Sequence, residues 1–256
     1  MLNRGTNRAK ELVKSGLNRV GLDLVRFPAP HTIAHHLQKF LLQNGINLVL
    51  DVGAYHGSYC ALLREKARYR GRIVSFEPHR DSFEILNARM ADDENWQGYS
   101  FGISDNDRTA TLNVYEGRGD FNSLLDLREH GAAAYDVDAS RRSAESVQMH
   151  TLDSLWPSLV SGIERPCVFL KIDTQGHDTA VVRGAANNLK DIRGIQSELP
   201  VIELYDGMTP MPAALTFYRD LGYLPIGFFP VNTPAAYAAS PEFDVLLKQL
   251  RNGRDT

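Results

Sequence analysis

Residues 48–57 place an acid and two glycines directly after a short apolar run, and this stretch restricts the fold more than any other. The run at 48–52 has the length and composition of a buried parallel strand, and residues 58–66 carry apolar side chains at helical spacing. The glycines therefore lie in a turn from strand to helix. Because Gly53 and Gly57 have no Cβ, this turn can adopt a positive φ and approach a ligand closely.

The spacing within this turn indicates what it binds. It reads Asp-x-Gly-x-x-x-Gly, which differs from the Gly-x-Gly-x-x-Gly of dinucleotide-binding turns. Asp51 stands before the turn, where a carboxylate would repel a pyrophosphate and attract an amino group. The turn therefore points to the amino-acid end of S-adenosylmethionine (SAM). An ordinary tight turn that binds nothing is the alternative.

A second apolar strand is predicted at residues 73–76 and is followed by Glu77 and Pro78. In doubly wound sheets, a carboxylate at the end of the second strand, roughly 20 residues after the glycine turn, binds the two hydroxyls of a ribose. Glu77 has this position, and Pro78 ends the strand. The alternative is that Glu77 only caps the helix that follows.

A third apolar run, at residues 168–172, also ends in an acid, Asp173, and His177 follows in a polar segment. Glu198 lies near the end of the next predicted strand. Acids and a histidine at the carboxyl edge of central strands form a candidate catalytic corner, so we predict that Asp173, His177 and Glu198 are catalytic. Asp173 and Glu198 could also share a proton or a divalent cation such as Mg²⁺, although two ligands are too few to identify a metal site.

A further strand is predicted at residues 96–104. In a doubly wound sheet its end lies beside the adenine of a nucleotide cofactor, so Ile103, Ser104 and Asp105 are candidates for the adenine edge. A simple acidic turn around Asp105 explains the same residues equally well.

Size, charge and cysteine content limit the class of protein. The chain has 256 residues, is 43% hydrophobic and 23% charged, and carries a formal net charge of −3. These values fit one large α/β domain and give no basic excess for binding nucleic acid. We expect Cys60 and Cys167 to be buried thiols in a reducing compartment. Without a long apolar run or a signal core, we expect a cytoplasmic protein with no membrane span.

Two segments differ from the rest of the chain. Residues 1–45 are predicted to form an N-terminal helical arm, which makes a homodimer plausible, and residues 46–256 to form the main domain. Residues 116–146 lack sustained apolar periodicity. Because long irregular segments in compact domains are usually functional or mobile, we interpret them as a flexible flap over the acceptor substrate. A disordered surface insert is the alternative.

Six motifs follow one another in the chain at residues 51–57, 75–78, 122–123, 152–155 and 171–176, and at Glu198 with 204–207. With these motifs in this order, residues 31–248 resemble the FkbM family of SAM-dependent methyltransferases. The resemblance implies a Rossmann-like class I methyltransferase fold of the α/β class, with a seven-stranded, mostly parallel sheet and an antiparallel closing strand. It also implies methylation of an oxygen, typically a hydroxyl of a sugar, a glycan or a natural product.

The chain departs from the family pattern at three places. Tyr55 stands where the family usually has Asn, Gln175 replaces the more usual Glu, and His177 with Asp178 follows where an apolar or aromatic residue and an acid are commoner. The predicted cofactor-binding residues are Asp51, Gly53, Ala54, Tyr55, Gly57, Glu77, Pro78, Ile103, Ser104 and Asp173.

Two rival functions remain at this point. A nicotinamide-dependent oxidoreductase is disfavoured by the absence of a Gly-x-Gly-x-x-Gly turn and by the resemblance. A non-catalytic binding module with a methyltransferase-like fold would result if Tyr55 obstructed the cofactor turn. A small-molecule or glycan substrate is the expected partner of the enzyme.

Overall fold

The computed structural model describes residues 32–231 and 242–250, and a few isolated positions before residue 32. Most of the predicted N-terminal arm therefore lies outside the described residues. Its described part contains the helix Ile33–Gln43.

The described residues form ten strands. These are β1 (Leu48–Val52), β2 (Arg72–Phe76), β3 (Trp96–Tyr99), β4 (Gly102–Ile103), β5 (Arg108–Tyr115), β6 (Arg142–His150), β7 (Val168–Ile172), β8 (Ile192–Pro200), β9 (Tyr223–Pro230) and β10 (Glu242–Gln249).

The same residues form seven α-helices. These are α1 (Ile33–Gln43), α2 (Ser58–Ala61), α3 (Arg80–Met90), α4 (Glu129–Tyr135), α5 (Leu152–Leu159), α6 (Asp178–Arg183) and α7 (Met211–Asp220). A π-helical turn, Leu62–Lys66, continues α2.

Seven strands form one sheet in the order β3-β2-β1-β7-β8-β10-β9. Strand β10 is antiparallel to both of its neighbours, and the other neighbouring strands are parallel. This arrangement confirms the predicted fold class, with β10 as the antiparallel closing strand. In the register of the sheet, Asp51 lies between Ser75 of β2 and Lys171 of β7.

The central strands are buried because helices cover both faces of the sheet. All five residues of β1 and all five of β7 are buried. Leu48 and Leu50 face the cluster formed with α5, α6 and α7. Val49 faces the cluster formed with α1, α2 and α3, which also contains the buried Cys60. Cys167 is only half-buried, which differs from the expectation that both cysteines are buried.

The segment predicted as one strand at residues 96–104 is divided between two sheets. Strand β3 pairs with β2, whereas β4 joins a small second sheet of order β4-β6-β5. The chain bends between them at Phe101, whose ring packs against Tyr99 at 5.1 Å and His150 at 4.6 Å between centroids. This bend brings Ile103 to the carboxyl edge of the main sheet, and the one-strand prediction was wrong.

Residues 116–146 contain short regular elements within the segment interpreted as a flap. They contain a 3₁₀ turn, Gly119–Phe121, helix α4 and the beginning of β6. Apolar side chains of this segment pack in one cluster with Leu204, Tyr205 and Met208. Because these partners are remote in sequence, local periodicity did not indicate the packing. In the part of the chain that the structure describes, no helix is both long and apolar enough to cross a membrane.

Candidate functional site

A cavity of about 310 Å³ lies at the carboxyl ends of the central strands. Residues of β4 and of the segment 116–146 also line it. Nine of the sequence-predicted site residues line it: Gly53, Ala54, Tyr55, Glu77, Pro78, Ile103, Asp173, His177 and Glu198. The lining does not include Asp51, Gly57 or Ser104, which lie behind it. Residues from five separate segments therefore meet in one cavity.

Glu77 is held rigidly at the end of β2. Its Oε2 accepts a hydrogen bond from the Tyr55 backbone N–H at 2.8 Å, and its Oε1 accepts one from the His79 N–H at 2.9 Å. The second bond lies at the start of α3, so the carboxylate joins the glycine turn to this helix while it lines the cavity. Burial raises the pKa of Glu77 to about 7. Each carboxylate oxygen keeps a further lone pair for a ligand hydroxyl.

Asp51 is fully buried and interacts with protein groups behind the cavity wall. Its Oδ1 lies 3.2 Å from Lys171 Nζ, and its Oδ2 accepts a hydrogen bond from Ser75 Oγ at 3.4 Å. Lys171 Nζ also lies 3.4 Å from Asp173 Oδ2 and donates to Gly53 O at 3.0 Å. Burial lowers the pKa of Lys171, but the charges of Asp51 and Asp173 outweigh this effect and raise it. The lysine thus ties the glycine turn to Asp173.

Gly53 is required by a close backbone contact. Its φ is +76°, and a Cβ at this position would lie 1.8 Å from the carbonyl oxygen of Asp173. Such a distance is far below van der Waals contact, so no other residue fits here without movement of the turn. The absent side chain lets the turn after β1 and the turn after β7 meet at the edge of the cavity.

Gln175 links the two predicted catalytic acids. Its Nε2 donates to Asp173 Oδ1 at 2.9 Å and to Glu198 Oε2 at 3.2 Å, while its Oε1 accepts from the Tyr205 hydroxyl at 2.8 Å. The residue has a positive φ of +51°, and its carbonyl accepts a hydrogen bond from Ser123 Oγ at 2.8 Å. The structure therefore brings Asp173 and Glu198 together through an amide.

The inner end of the cavity is acidic. Burial, reinforced by the charge of Asp173, raises the pKa of Glu198 well above its usual value. Burial raises the pKa of Glu242 to about 7 and that of Asp244, behind it, to about 6. Tyr135 donates its hydroxyl to Glu242 Oε2 at 2.8 Å. The raised pKa of Glu198 favours its protonated form, which can donate a hydrogen bond as well as accept one.

His177 lies on the other side of the cavity, next to the small sheet. Its Nε2 is 2.9 Å from Ser104 Oγ, which in turn donates to Asp105 Oδ1 at 3.1 Å. Burial and the nearby Arg108 guanidinium lower the pKa of His177, so its ring is neutral at pH 7. Ser104 is thus one step removed from the cavity, behind His177.

The predicted divalent cation receives no support. Among residues 32–231 and 242–250, no group of three or more His, Cys, Asp or Glu side chains could hold a metal ion. The N–H groups of Gln175 lie between Asp173 and Glu198, where a shared cation would be bound.

Three contributors to the site were not predicted from the sequence. Alternation along β7 puts Lys171 on the same side as Asp173, a signal that could have identified it. Asn122 lies in the motif at residues 122–123 and lines the cavity, but nothing in the neighbouring sequence shows which of its side-chain atoms are hydrogen-bonded. Glu242 reaches the cavity from β10, and only the sheet order brings it there.

Comparison with known proteins adds to this geometry. Residues 51–225 match the family described as Methyltransferase FkbM domain, and this match covers most of the chain. The chain belongs to the FkbM methyltransferase family. The matched residues include the glycine turn, Glu77, Asp173 and Glu198. Methyl transfer is therefore the class of reaction that the family membership supports. No curated protein matches the chain.

Solved structures of methyltransferases resemble the chain only distantly. A methyltransferase FkbM from Methylobacillus flagellatus KT has 14% identity and a TM-score of 0.49, and the match covers 82% of this chain and 47% of that one. The chain thus spans about half the length of that FkbM protein. The O-methyltransferase TomG from Streptomyces achromogenes, involved in tomaymycin synthesis and solved with SAM, has 13% identity and a TM-score of 0.47, with 94% and 89% covered.

Proposed function

We propose that this FkbM family member transfers a methyl group from SAM to a hydroxyl oxygen of a sugar, a glycan or a natural product. The observation that carries the proposal is the Glu77 carboxylate. Two backbone N–H groups orient it at the end of β2, and it lines the cavity beside the glycine turn. Two carboxylate oxygens in fixed positions suit the adjacent hydroxyls of a ribose.

The charge of the cavity supports SAM over a dinucleotide. Among its described lining residues there are five acids, namely Glu77, Asp120, Asp173, Glu198 and Glu242, whereas the basic side chains are Lys171 and the neutral His177. An acidic lining stabilises the sulfonium and ammonium charges of SAM and would repel a pyrophosphate. The amino-acid end of SAM would lie along Gly53, Ala54 and Tyr55. Asp51 would support this contact indirectly by holding Lys171, and Gly57 by shaping the turn.

The remaining cofactor contacts would come from the side of the cavity near the small sheet. Pro78 and Ile103 supply apolar surface there, and His177 is positioned by Ser104. We propose that this side receives the adenine ring.

The acceptor hydroxyl would bind at the acidic end of the cavity, against Asp173 and Glu198. When bound, SAM supplies an electrophilic methyl group, so the protein must align an acceptor oxygen with it and take up the hydroxyl proton. We propose that Asp173, ion-paired to Lys171, receives that proton, and that Glu198, whose pKa is raised by burial, orients the acceptor by a hydrogen bond. Because His177 lies on the other side of the cavity, we propose that it contacts the cofactor there and does not act as the base.

Calorimetric titration tests the cofactor assignment. The protein should bind SAM and its product S-adenosylhomocysteine and should not bind NAD, with or without Mg²⁺. Glu77→Gln keeps the shape of the side chain but replaces one oxygen by an NH₂ group. We expect it to weaken S-adenosylhomocysteine roughly ten- to a hundredfold, since a hydrogen bond to a charged group contributes about 1.5–3 kcal/mol.

The matched control is Glu84→Gln, because Glu84 is exposed on α3 and forms a surface ion pair with Arg80. If the wild-type protein binds neither form of the cofactor, the chain is a binding module with a methyltransferase fold. If Glu77→Gln binds as tightly as the wild type, the ribose assignment is wrong.

A further inference from the structure

Asn122 lines the cavity and carries a buried side-chain donor that pairs with none of the described residues. Its Oδ1 accepts from the Tyr115 backbone N–H at 3.1 Å, and because that group can only donate, the amide must turn its oxygen toward Tyr115. The Nδ2 atom is therefore directed away from the Tyr115 N–H. This atom is buried and makes no hydrogen bond to any residue that the structure describes, although Asn122 lines the cavity.

The segment around Asn122 is held firmly in place. The backbone N–H and C=O of Ser123 both pair with Asn113, at 3.2 and 2.8 Å, and the Ser123 hydroxyl donates to Gln175 O at 2.8 Å. The same hydroxyl accepts from the Leu125 N–H at 3.0 Å. Since these bonds join the segment to β5 and to the turn after β7, the unused donor is not a consequence of a loose loop.

The position of the donor identifies its neighbours. The point that a Cβ of Gly119 would occupy lies 2.9 Å from the Tyr55 ring and 3.6 Å from Asn122 Nδ2. Both groups therefore lie against Gly119, and the donor is close to the glycine turn that carries Tyr55. Asp173 and Glu198 accept hydrogen bonds from Gln175 and not from Asn122.

A buried donor without an acceptor is costly, so such a group in a folded protein calls for an explanation. An α-carboxylate that enters this acidic cavity needs donors that the protein has not already used. Lys171 is engaged by Gly53, Asp51 and Asp173. Asn122 Nδ2 is uncommitted and lies beside the turn assigned to the amino-acid end.

We propose that Asn122 Nδ2 donates a hydrogen bond to the α-carboxylate of the amino-acid end of the cofactor. This inference rests on the proposed SAM-dependent function and adds a specific carboxylate contact to it. Such a contact would favour ligands that keep the amino-acid end, such as SAM and S-adenosylhomocysteine, over nucleosides that lack it. An oxygen of the acceptor substrate is the other possible partner, and the experiment distinguishes the two.

The test uses Asn122→Asp, which retains an oxygen for the Tyr115 N–H and removes the donor. Asn87→Asp is the charge-matched control because Asn87 is exposed on α3. Calorimetry measures the binding of S-adenosylhomocysteine and of 5′-methylthioadenosine, which has the nucleoside but no amino-acid end. Asn122→Asp should weaken S-adenosylhomocysteine by roughly ten- to a hundredfold or more and leave 5′-methylthioadenosine unchanged. Asn87→Asp should change neither.

Five other results would overturn the proposal. Equal weakening of both ligands would mean that Asn122 contacts the nucleoside or only shapes the cavity. Unchanged binding of both would mean that the donor does not serve the cofactor, and an effect confined to methyl transfer would assign it to the acceptor. If the wild-type protein binds 5′-methylthioadenosine and S-adenosylhomocysteine equally tightly, no carboxylate contact exists. If it binds neither, the proposed function itself fails and the carboxylate contact fails with it.

Discussion

Replacement of Lys171 by methionine should destabilise the protein strongly, because it leaves a carboxylate buried without its counter-charge. Asp51 has no exposed surface, and its Oδ1 lies 3.2 Å from Lys171 Nζ. The other oxygen has only a long hydrogen bond from Ser75 Oγ, at 3.4 Å, and a contact with Cys60 Sγ at 3.7 Å. Neither supplies a charge.

The expected loss follows from this burial. Removal of one partner of a buried ion pair costs about 3–5 kcal/mol, whereas removal of both partners is often nearly neutral. Lys171→Met should therefore lower the free energy of unfolding by about 3–5 kcal/mol. The double variant Asp51→Asn/Lys171→Met leaves no buried charge at residue 51, so it should recover at least about 2 kcal/mol of that loss.

Urea denaturation of the wild type, both single variants and the double variant measures the coupling. Tryptophan fluorescence is a local probe, because Trp96 Nε1 donates to Ser75 Oγ at 3.0 Å, next to Asp51. Far-UV circular dichroism should give the same midpoints if unfolding is two-state. A double variant that is no more stable than Lys171→Met would refute the reasoning, because the loss would then come from packing and not from the uncompensated charge.

Two further perturbations test other parts of the site. Gly53→Ala should lower the melting temperature and abolish cofactor binding, because its Cβ would lie 1.8 Å from Asp173 O. The control Gly117→Ala should cost much less, because Gly117 has a similar φ of +71° but open space around it. Equal losses of melting temperature in the two variants would contradict the argument. Burial raises the pKa of Glu77 from 4.5 to about 7, so the folded protein binds more protons than the unfolded chain in this window and its free energy of unfolding should fall as pH rises from about 4.5 to about 7. Glu77→Gln should make this fall smaller, and an identical pH profile would show that Glu77 is not the buried acid that the structure describes.

Much of the scaffold was readable from the sequence because its signals are local. A five-residue, mainly apolar run that contains Asp51 and is followed by glycines predicted β1 and its turn. Apolar runs that end in an acid predicted β2 with Glu77 and β7 with Asp173. Parallel strands bring their carboxyl ends to one edge of a sheet, so the meeting of Gly53, Glu77 and Asp173 at one cavity followed from the fold class.

The roles of individual side chains within that cavity depended on the tertiary structure. Asp51 looked like a ligand contact, but the register of the sheet puts it opposite Lys171, which neutralises it behind the wall. Glu242 comes from a strand that follows Glu198 by more than forty positions in the sequence and joins it only through antiparallel pairing. Asn122 gives no local sign of an unused donor.

The physical reason for this division is the range of each interaction. Apolar periodicity and glycine turns reflect the conformation of a few neighbouring residues, which the sequence by itself determines. Burial, ion pairing and hydrogen-bond satisfaction depend on groups that are remote in the chain, so only the packed structure decides which carboxylate is neutralised, which is protonated and which amide is left to bind a ligand.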